Sequence, residues 1–153
     1  MQFRLTATAV LITAVVSASG VALSHSGATG LVKQRMDAMS DIAKGMKAIG
    51  AMLKGEAGFD AGAVKSAASS IAEHAGQIPE LFPEGSNRKP SEALPAIWED
   101  WARFTSIADD MGAKAMALET AADGAAQIDQ IKAPFGALAK TCKACHSDFR
   151  LAK

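Results

Sequence analysis

Apolar residues recur at alternating spacings of three and four along most of this 153-residue chain. This period constrains the fold more than any other feature, because it is the period of an α-helix with one buried face. The first such segment runs from about residue 30 to residue 54 and predicts one amphipathic helix that ends before Gly55 and Gly58. Its stripe places one charged residue, Arg35, among apolar ones: Val32, Met39, Ile42, Met46, Ile49 and Leu53.

Three further segments show the same period, separated by proline and glycine. Asp60 is positioned to cap the second segment, which we predict to stop at Pro79. The chain from 79 to 95 carries four prolines and is predicted to be a loop. The third segment follows as one continuous helix to Asp123, and the fourth contains Pro134, where we expect a kink or a restart. No segment shows strand alternation, so the predicted fold is all-α, an antiparallel four-helix bundle.

Residues 1–24 have the composition of a secretory signal peptide, which is removed from the mature protein. Arg4 supplies a positive charge, residues 7–16 form an apolar run too short to span a membrane, and small residues precede His25, where we expect cleavage. The mature domain is then 25–153. No other apolar run approaches spanning length, so we expect an exported, periplasmic protein with no membrane insertion of the mature chain.

The charges of the chain balance, with 16 Lys and Arg against 16 Asp and Glu. A nucleic-acid-binding protein ordinarily has a basic excess, so we expect no nucleic acid as a partner. Hydrophobic residues make up 49% of the chain, but many of them are alanine. Alanine favours helix and buries little apolar surface. A core this rich in alanine leaves space at the centre of the bundle for another group.

The two cysteines of the chain stand in the sequence Cys142-Lys143-Ala144-Cys145-His146, which has the C-x-x-C-H spacing of covalent haem attachment. Residues three apart share one face of a helix, so both thiols can form thioethers with the vinyl groups of one porphyrin. The next residue turns an imidazole toward the iron. We therefore expect one haem c on the C-terminal helix, held by Cys142 and Cys145, with His146 as an axial iron ligand.

Three other interpretations of these cysteines stay open at this point. They can form a structural disulfide in an oxidising compartment. A dithiol redox pair of the thioredoxin type would open a helix after a strand, and the sequence predicts no strand. A zinc site would need two further ligands, and the chain has only His25 and His74 besides His146. Haem attachment fits best with both the export of the chain and the space in its core.

A C-terminal Cys-Lys-Ala-Cys-His on the last helix of an alanine-rich bundle resembles the class II cytochromes c, which include the cytochrome c′ family. The resemblance covers essentially all of the mature chain, and it implies one covalently bound haem c inside the bundle. It also suggests a homodimer formed through the first two helices. The other stretches that carry it are Lys33-Gln34-Arg35-Met36-Asp37-Ala38-Met39, Leu81-Phe82-Pro83, Ile97-Trp98-Glu99 and Phe149-Arg150.

The resemblance divides at the sixth coordination position of the iron. In one branch the iron is five-coordinate and high-spin, a bulky residue of the first helix covers the open face, and nitric oxide or carbon monoxide can bind. In the other branch a first-helix methionine is the second axial ligand. The decisive position is Met39, with Met36 as its rival one turn earlier. The Leu-Phe-Pro and Ile-Trp-Glu stretches look more like the second branch, so from the sequence we expect an electron carrier with Met39 as distal ligand, and gas binding is the alternative.

Arg35 also gains a role from this resemblance. A buried unpaired charge is costly, and a haem propionate would supply the missing anion; an arginine that extends to the end of the bundle is the alternative. We expect a second polar contact from Gln34. Around the attachment site lie four basic residues that would suit acidic redox partner proteins, although a solvated helix face has the same composition: Lys140, Lys143, Arg150 and Lys153. The sequence shows no second cofactor motif and no catalytic constellation, so we expect no enzyme activity.

Overall fold

A computed structural model describes residues 27–152 of the chain. The predicted signal peptide, residues 1–24, lies outside this range, and so does His25. The described chain contains no strand, which confirms the predicted all-α fold class. Its helices are α1 (Gly30–Leu53), α2 (Ala61–Leu81), α3 (Ala96–Glu99), α4 (Trp101–Ala122) and α5 (Asp129–Phe149).

The four long helices form the predicted antiparallel four-helix bundle, and the short α3 belongs to the link between α2 and α4. α1 packs along α2, α2 along α4, and α4 along α5. Small residues allow the close approach of neighbouring helices. A Cβ added to Gly45 would lie 3.5 Å from side-chain atoms of Ala67 and Ile71, and one added to Gly112 would lie 3.5 Å from Ala75.

The end of α2 differs from the prediction, because the helix continues past Pro79 to Leu81. Proline disfavours the helical conformation mainly in the residue before it, which is Ile78. Ile78 is only 4% exposed, so its packing in the core outweighs this local preference. Phe82 then leaves the helix, and its N–H donates a hydrogen bond to the carbonyl of Pro79 at 3.3 Å.

The third predicted helix is divided at Asp100 into α3 and α4. Asp100 has φ −130° and ψ 60°, and its side chain accepts a hydrogen bond from the N–H of Arg103 at 3.2 Å. It therefore acts as the N-cap of α4, a role that the uninterrupted apolar period conceals in the sequence. The fourth predicted helix, in contrast, does not restart at Pro134, because α5 runs without a break from Asp129 to Phe149.

The buried core follows the predicted stripes in part, and two of the departures in α1 are informative. In α1 the core residues are Ala38, Ile42 and Ile49, whereas Met39 and Met46 of the predicted stripe are only half-buried. Both methionines face the cavity described below. Among the helices of residues 27–152, none is long and apolar enough to cross a membrane.

Candidate cofactor site

A cavity of about 580 Å³ lies between α1 and α5, and α4 and the end of the α2–α4 link complete its wall. α1 and α5 pack mainly against their other neighbours, which leaves this space between them. A volume of this order is typical of cofactor and small-molecule sites. Most of its wall is apolar, and the residues that the sequence singled out line it from two sides: Cys142, Cys145 and His146 of α5, and Arg35, Met36 and Met39 of α1.

The C-x-x-C-H residues occupy the last two turns of α5. Cys142 and Cys145 lie one turn apart and are half-buried free thiols, and the Sγ of Cys142 lies 3.7 Å from the carbonyl oxygen of Leu138. His146 lines the same cavity, with its residue more exposed than either cysteine. Among the described residues, no cluster of three or more His, Cys, Asp or Glu side chains could hold a metal ion. This part of the chain therefore supplies no further ligands for a zinc site at the two cysteines.

Burial favours the neutral forms of the two thiols and the imidazole of this motif. It raises the pKa of Cys142, and it raises the pKa of Cys145 to about 11, with further contributions from the nearby charges of Cys142 and Asp148. The pKa of His146 is lowered, first by burial and then by the positive charge of Arg150, against an opposing effect of Glu92. A neutral imidazole is the form that binds a metal, so His146 is ready to act as a ligand at neutral pH.

Arg35 is buried in the wall of the cavity with only 4% of its surface exposed. One of its nitrogens, Nη2, donates a hydrogen bond to the carbonyl of Ser86, and its Cζ lies 4.4 Å from the ring centroid of Phe82. Its Nε and Nη1 are buried without a hydrogen-bond partner among the described residues. Burial lowers the pKa of Arg35. The side chain therefore does not extend to solvent. Its Nε and Nη1 are left as hydrogen-bond donors, and an anion in the cavity would satisfy them.

The first helix places both candidate methionines on the cavity wall. Met39 and Met36 are half-buried there, although Met36 lies off the stripe that the sequence pattern defines. Gln34 is exposed and does not line the cavity, so the polar contact expected from it is not seen. The structure thus brings together six of the seven residues expected at the site, and Gln34 is the one left out.

Sequence reasoning missed the part of the wall that comes from outside the four stripes. Phe82, just after α2, and Glu92, in the link, both line the cavity. The link is held against the end of α5 by backbone hydrogen bonds, from Leu94 N–H to the Phe149 carbonyl at 3.0 Å and from Leu151 N–H to the Glu92 carbonyl at 2.8 Å. A loop has no apolar period, so only the Leu-Phe-Pro resemblance pointed toward this region.

A protein-family model described as Cytochrome C′ matches residues 30–150. The chain is 40% identical over 141 residues to a cytochrome c′ of Rhodopseudomonas palustris, which covers 91% of this chain and 92% of that protein. The chain belongs to the cytochrome c′ family. Within this family it is also 40% identical over 131 residues to a cytochrome c-556 of Agrobacterium fabrum, covering 82% of this chain and 84% of that protein.

Solved structures of cytochromes c′ share the fold. The cytochrome c′ from Rhodopseudomonas palustris matches with a TM-score of 0.76 and 35% sequence identity, over 82% of this chain and 99% of that one. A variant of cytochrome c prime from Alcaligenes xylosoxidans, solved as its nitric oxide complex, matches with a TM-score of 0.71 and 28% identity, over 80% of this chain and 94% of that one. The agreement over nearly the whole length of both proteins confirms the four-helix bundle.

A cytochrome c′ binds one covalently attached haem c, and the residues of this chain fit that group. The cavity is of cofactor size and largely apolar, as a porphyrin requires. Two free thiols at the C-x-x-C spacing line it together with a histidine. The unpartnered Nε and Nη1 of Arg35 are donors for a carboxylate, and the haem brings two carboxylates that the charge count of the chain does not include.

Replacement of Arg35 by leucine tests whether the site is built around an anion. In the haem-free chain, Arg35→Leu is expected to raise the free energy of unfolding by about 1 kcal/mol or more, because a buried cation that has no anion beside it is replaced by an apolar side chain. Urea denaturation followed by far-UV circular dichroism measures this change. The matched control is Arg103→Leu, which removes an exposed arginine paired with Asp148 and is expected to leave stability nearly unchanged or slightly lower, because solvent screens an exposed ion pair. A lower stability of the Arg35 variant would mean that the contacts of Arg35 with Ser86 and Phe82 already compensate for burying its charge, so that the site is not built around an anion.

Proposed function

We propose that the chain is a periplasmic haem c protein that binds a diatomic gas, nitric oxide or carbon monoxide, at the open axial position of its iron. The observation that carries this proposal is a single cavity lined by Cys142, Cys145 and His146 from α5 and by Met39 from α1. When bound, the haem supplies an iron that changes between Fe(II) and Fe(III) and accepts a small ligand where no side chain coordinates it.

The proximal side of the site would be built by α5. The thiols of Cys142 and Cys145 would form the two thioether bonds, and a ring nitrogen of His146 would bind the iron. The lowered pKa of His146 supports this role, because it keeps the imidazole neutral. Arg35 would pair with a haem carboxylate through its Nε and Nη1, which have no other partner among the described residues.

The distal side would be built by α1. Met39 would cover the open face without bonding to the iron. Ile42, Ala43 and Met46 on the same part of the wall are apolar, while Ser40 is polar. The apolar residues offer no hydrogen-bond partner to water or to a charged ligand, and burying such a ligand unpaired is costly. A small neutral gas loses no such interactions on entering. The wall therefore favours diatomic gases over polar ligands.

The second candidate is the electron carrier in which the Met39 sulfur binds the iron. The observation that favours it is the presence of a methionine at position 39 on the cavity wall, because a thioether sulfur is a suitable haem ligand. Such a ligand would raise the reduction potential of the iron and prevent gases from binding to it. The comparisons lean toward gas binding. The solved neighbours described above are cytochromes c′, one of them studied as its nitric oxide complex.

An optical spectrum of the reduced holoprotein, recorded with and without carbon monoxide, tests the proposal. We expect a high-spin spectrum that shifts strongly when carbon monoxide is added, because no side chain has to leave the iron. A low-spin spectrum that carbon monoxide leaves unchanged would overturn gas binding and support Met39 as the sixth ligand. Pyridine haemochrome analysis of the same sample establishes that haem c is present, so that an empty preparation is not mistaken for either result.

The proposal includes the cellular setting of the protein. Export through the predicted signal peptide would bring the free thiols to haem outside the cytoplasm, where covalent attachment takes place. A homodimer and acidic redox partner proteins remain part of the proposal. No enzyme activity is part of the proposal, because the sequence shows no second cofactor motif and no catalytic constellation.

A further inference from the structure

Arg35 lies over the ring of Phe82, with its Cζ 4.4 Å from the ring centroid. A guanidinium at this distance is attracted by the negative face of the ring, and the attraction is largest where water is excluded. Arg35 is 4% exposed and Phe82 is 9% exposed, so the pair is almost completely desolvated. Phe82 is thus the main apolar contact that we can assign to the guanidinium.

Phe82 is itself held in place by its neighbours. Its ring packs edge-on against Phe104 of α4, with centroids 5.0 Å apart and an interplanar angle of 61°. Its carbonyl oxygen accepts a hydrogen bond of 2.9 Å from the indole Nε1–H of Trp98. Phe104 in turn packs edge-on against Phe149 of α5, with centroids 5.4 Å apart. A row of aromatic contacts therefore connects Arg35 to the helix that carries the C-x-x-C-H motif.

These contacts determine the directions of the remaining donors of Arg35. The guanidinium is planar, and its N–H groups form a rigid fork. The ring of Phe82 holds one face of this plane, and the hydrogen bond from Nη2 to the Ser86 carbonyl fixes its rotation within the plane. Nε and Nη1 are then left buried in the wall of the cavity without a partner among the described residues.

We infer that Phe82 is a positioning residue whose ring holds Arg35 so that Nε and Nη1 meet a haem carboxylate, and that Phe82 thereby sets how strongly this carboxylate is kept in its charged form. The inference rests on the proposed function, which places the haem in this cavity. A carboxylate beside a fixed guanidinium has a lowered pKa. The positive charge also disfavours the oxidised iron, so its distance from the iron affects the reduction potential.

Other ionisable groups also face this cavity and must be accounted for. They are Glu92 of the link, Cys142, Cys145 and His146 of α5, and Arg150 just after α5, while α2 and α4 contribute only apolar residues to the wall. Substitutions at Phe82 leave all of these groups in the chain. A difference in pH dependence between Phe82 variants therefore reports on Arg35 and the carboxylate that it pairs with.

The experiment is a spectroelectrochemical titration of the purified holoprotein from about pH 2.5 to about pH 8, a range that includes the lowered pKa of a carboxylate beside a guanidinium. In the wild type, the midpoint potential is expected to fall as the carboxylate ionises. In Phe82→Leu the released guanidinium holds the carboxylate less well, so this fall is expected about one pH unit higher. Above the transition the potential of the variant is expected to lie below that of the wild type, because the positive charge is less firmly held near the iron. Phe82→Tyr keeps the ring face and is expected to restore the wild-type curve.

Two further sets of variants separate positioning from packing. Phe135→Leu makes the same change in a half-buried phenylalanine of α5 that does not line the cavity, and it is expected to leave the curve unchanged. In an Arg35→Leu background, Phe82→Leu is expected to cause no further shift, whereas a packing effect would shift the curve in both backgrounds. Phe82→Met is made in parallel so that a folded apolar variant is available if leucine prevents folding.

The outcomes distinguish this inference from the function on which it rests. A wild-type protein without haem would overturn the proposed function and the inference together. A haem-loaded Phe82→Leu or Phe82→Met protein that titrates like the wild type, while Arg35→Leu does not, would overturn the inference alone. If neither Phe82 nor Arg35 variants move the curve, Arg35 pairs with no haem carboxylate and the positioning role of Phe82 is wrong.

Discussion

Replacing Cys142 and Cys145 together with serine is expected to abolish covalent haem attachment completely. A serine hydroxyl does not add to a vinyl group to form the thioether that these half-buried thiols are placed to make. The measurement is the intact mass of the protein after expression with the haem-attachment machinery. The wild type is expected to carry the added mass of one haem, and the double variant to have the mass of the polypeptide alone.

The single variants and a control make this result specific. Cys142→Ser and Cys145→Ser are each expected to keep one thioether bond to the haem, since the other thiol on the same helix face still reaches the porphyrin. Each single variant is expected to give less holoprotein than the wild type. Met116→Ser removes a sulfur from an exposed position on α4, and haem attachment is expected to be unaffected. A covalent haem in the double serine variant would show that the group is held elsewhere, and a wild type without added mass would favour a dithiol or disulfide role for these cysteines.

The sequence was sufficient to predict the elements that depend on local periodicity and on covalent chemistry. The stripe of α1 located its helix to within a residue at each end, and Asp60 caps α2 as expected, accepting a hydrogen bond of 2.9 Å from the N–H of Ala63. The C-x-x-C-H spacing identified the cofactor, because few other chemistries need two thiols and an imidazole in that order. A short motif of this kind is complete in the sequence and needs no tertiary structure to be recognised.

The features that the sequence failed to predict depend on contacts between distant parts of the chain. Pro79 remains inside α2 because Ile78 is buried in the core. The sequence around a proline does not show how strongly core packing of its neighbours outweighs its tendency to end a helix. Gln34 neighbours Arg35 in sequence but points away from the cavity, since adjacent helical residues lie about 100° apart. Phe82 reaches Arg35 across 47 positions of sequence, a contact that no local pattern encodes.

The predicted stripe also had a meaning that only the structure reveals. Met39 and Met46 follow the three-four period as well as Ile49 does, yet Ile49 is buried by protein and the methionines are left half-buried on the cavity wall. Periodicity reports that a face is apolar, but not whether its partner is another helix or a cofactor. The exposure of the two methionines is therefore itself evidence for a large apolar group in this bundle.

Met39 is the residue whose replacement separates the two candidate functions. If Met39 only covers the iron, Met39→Ala is expected to raise the affinity of the reduced protein for carbon monoxide about tenfold. A ligand entering the wild-type site has to push a half-buried side chain aside, and alanine removes most of that cost, which is on the order of 1 kcal/mol or slightly more. The spin state is expected to stay high in both proteins.

If instead the sulfur of Met39 binds the iron, the same substitution has a qualitatively different result. The wild type would then be low-spin and unresponsive to carbon monoxide. Met39→Ala would become high-spin and bind the gas, because the substitution removes a side chain that coordinates the iron and not one that only covers it. The matched control is Met46→Ala, which shortens the same type of side chain on the same wall two turns further along α1 and is expected to change the affinity less than twofold. If Met39→Ala and Met46→Ala both leave the carbon monoxide affinity unchanged, Met39 does not lie at the sixth coordination position in either function. Met36, which α1 also presents to the cavity, would then be the candidate for that position.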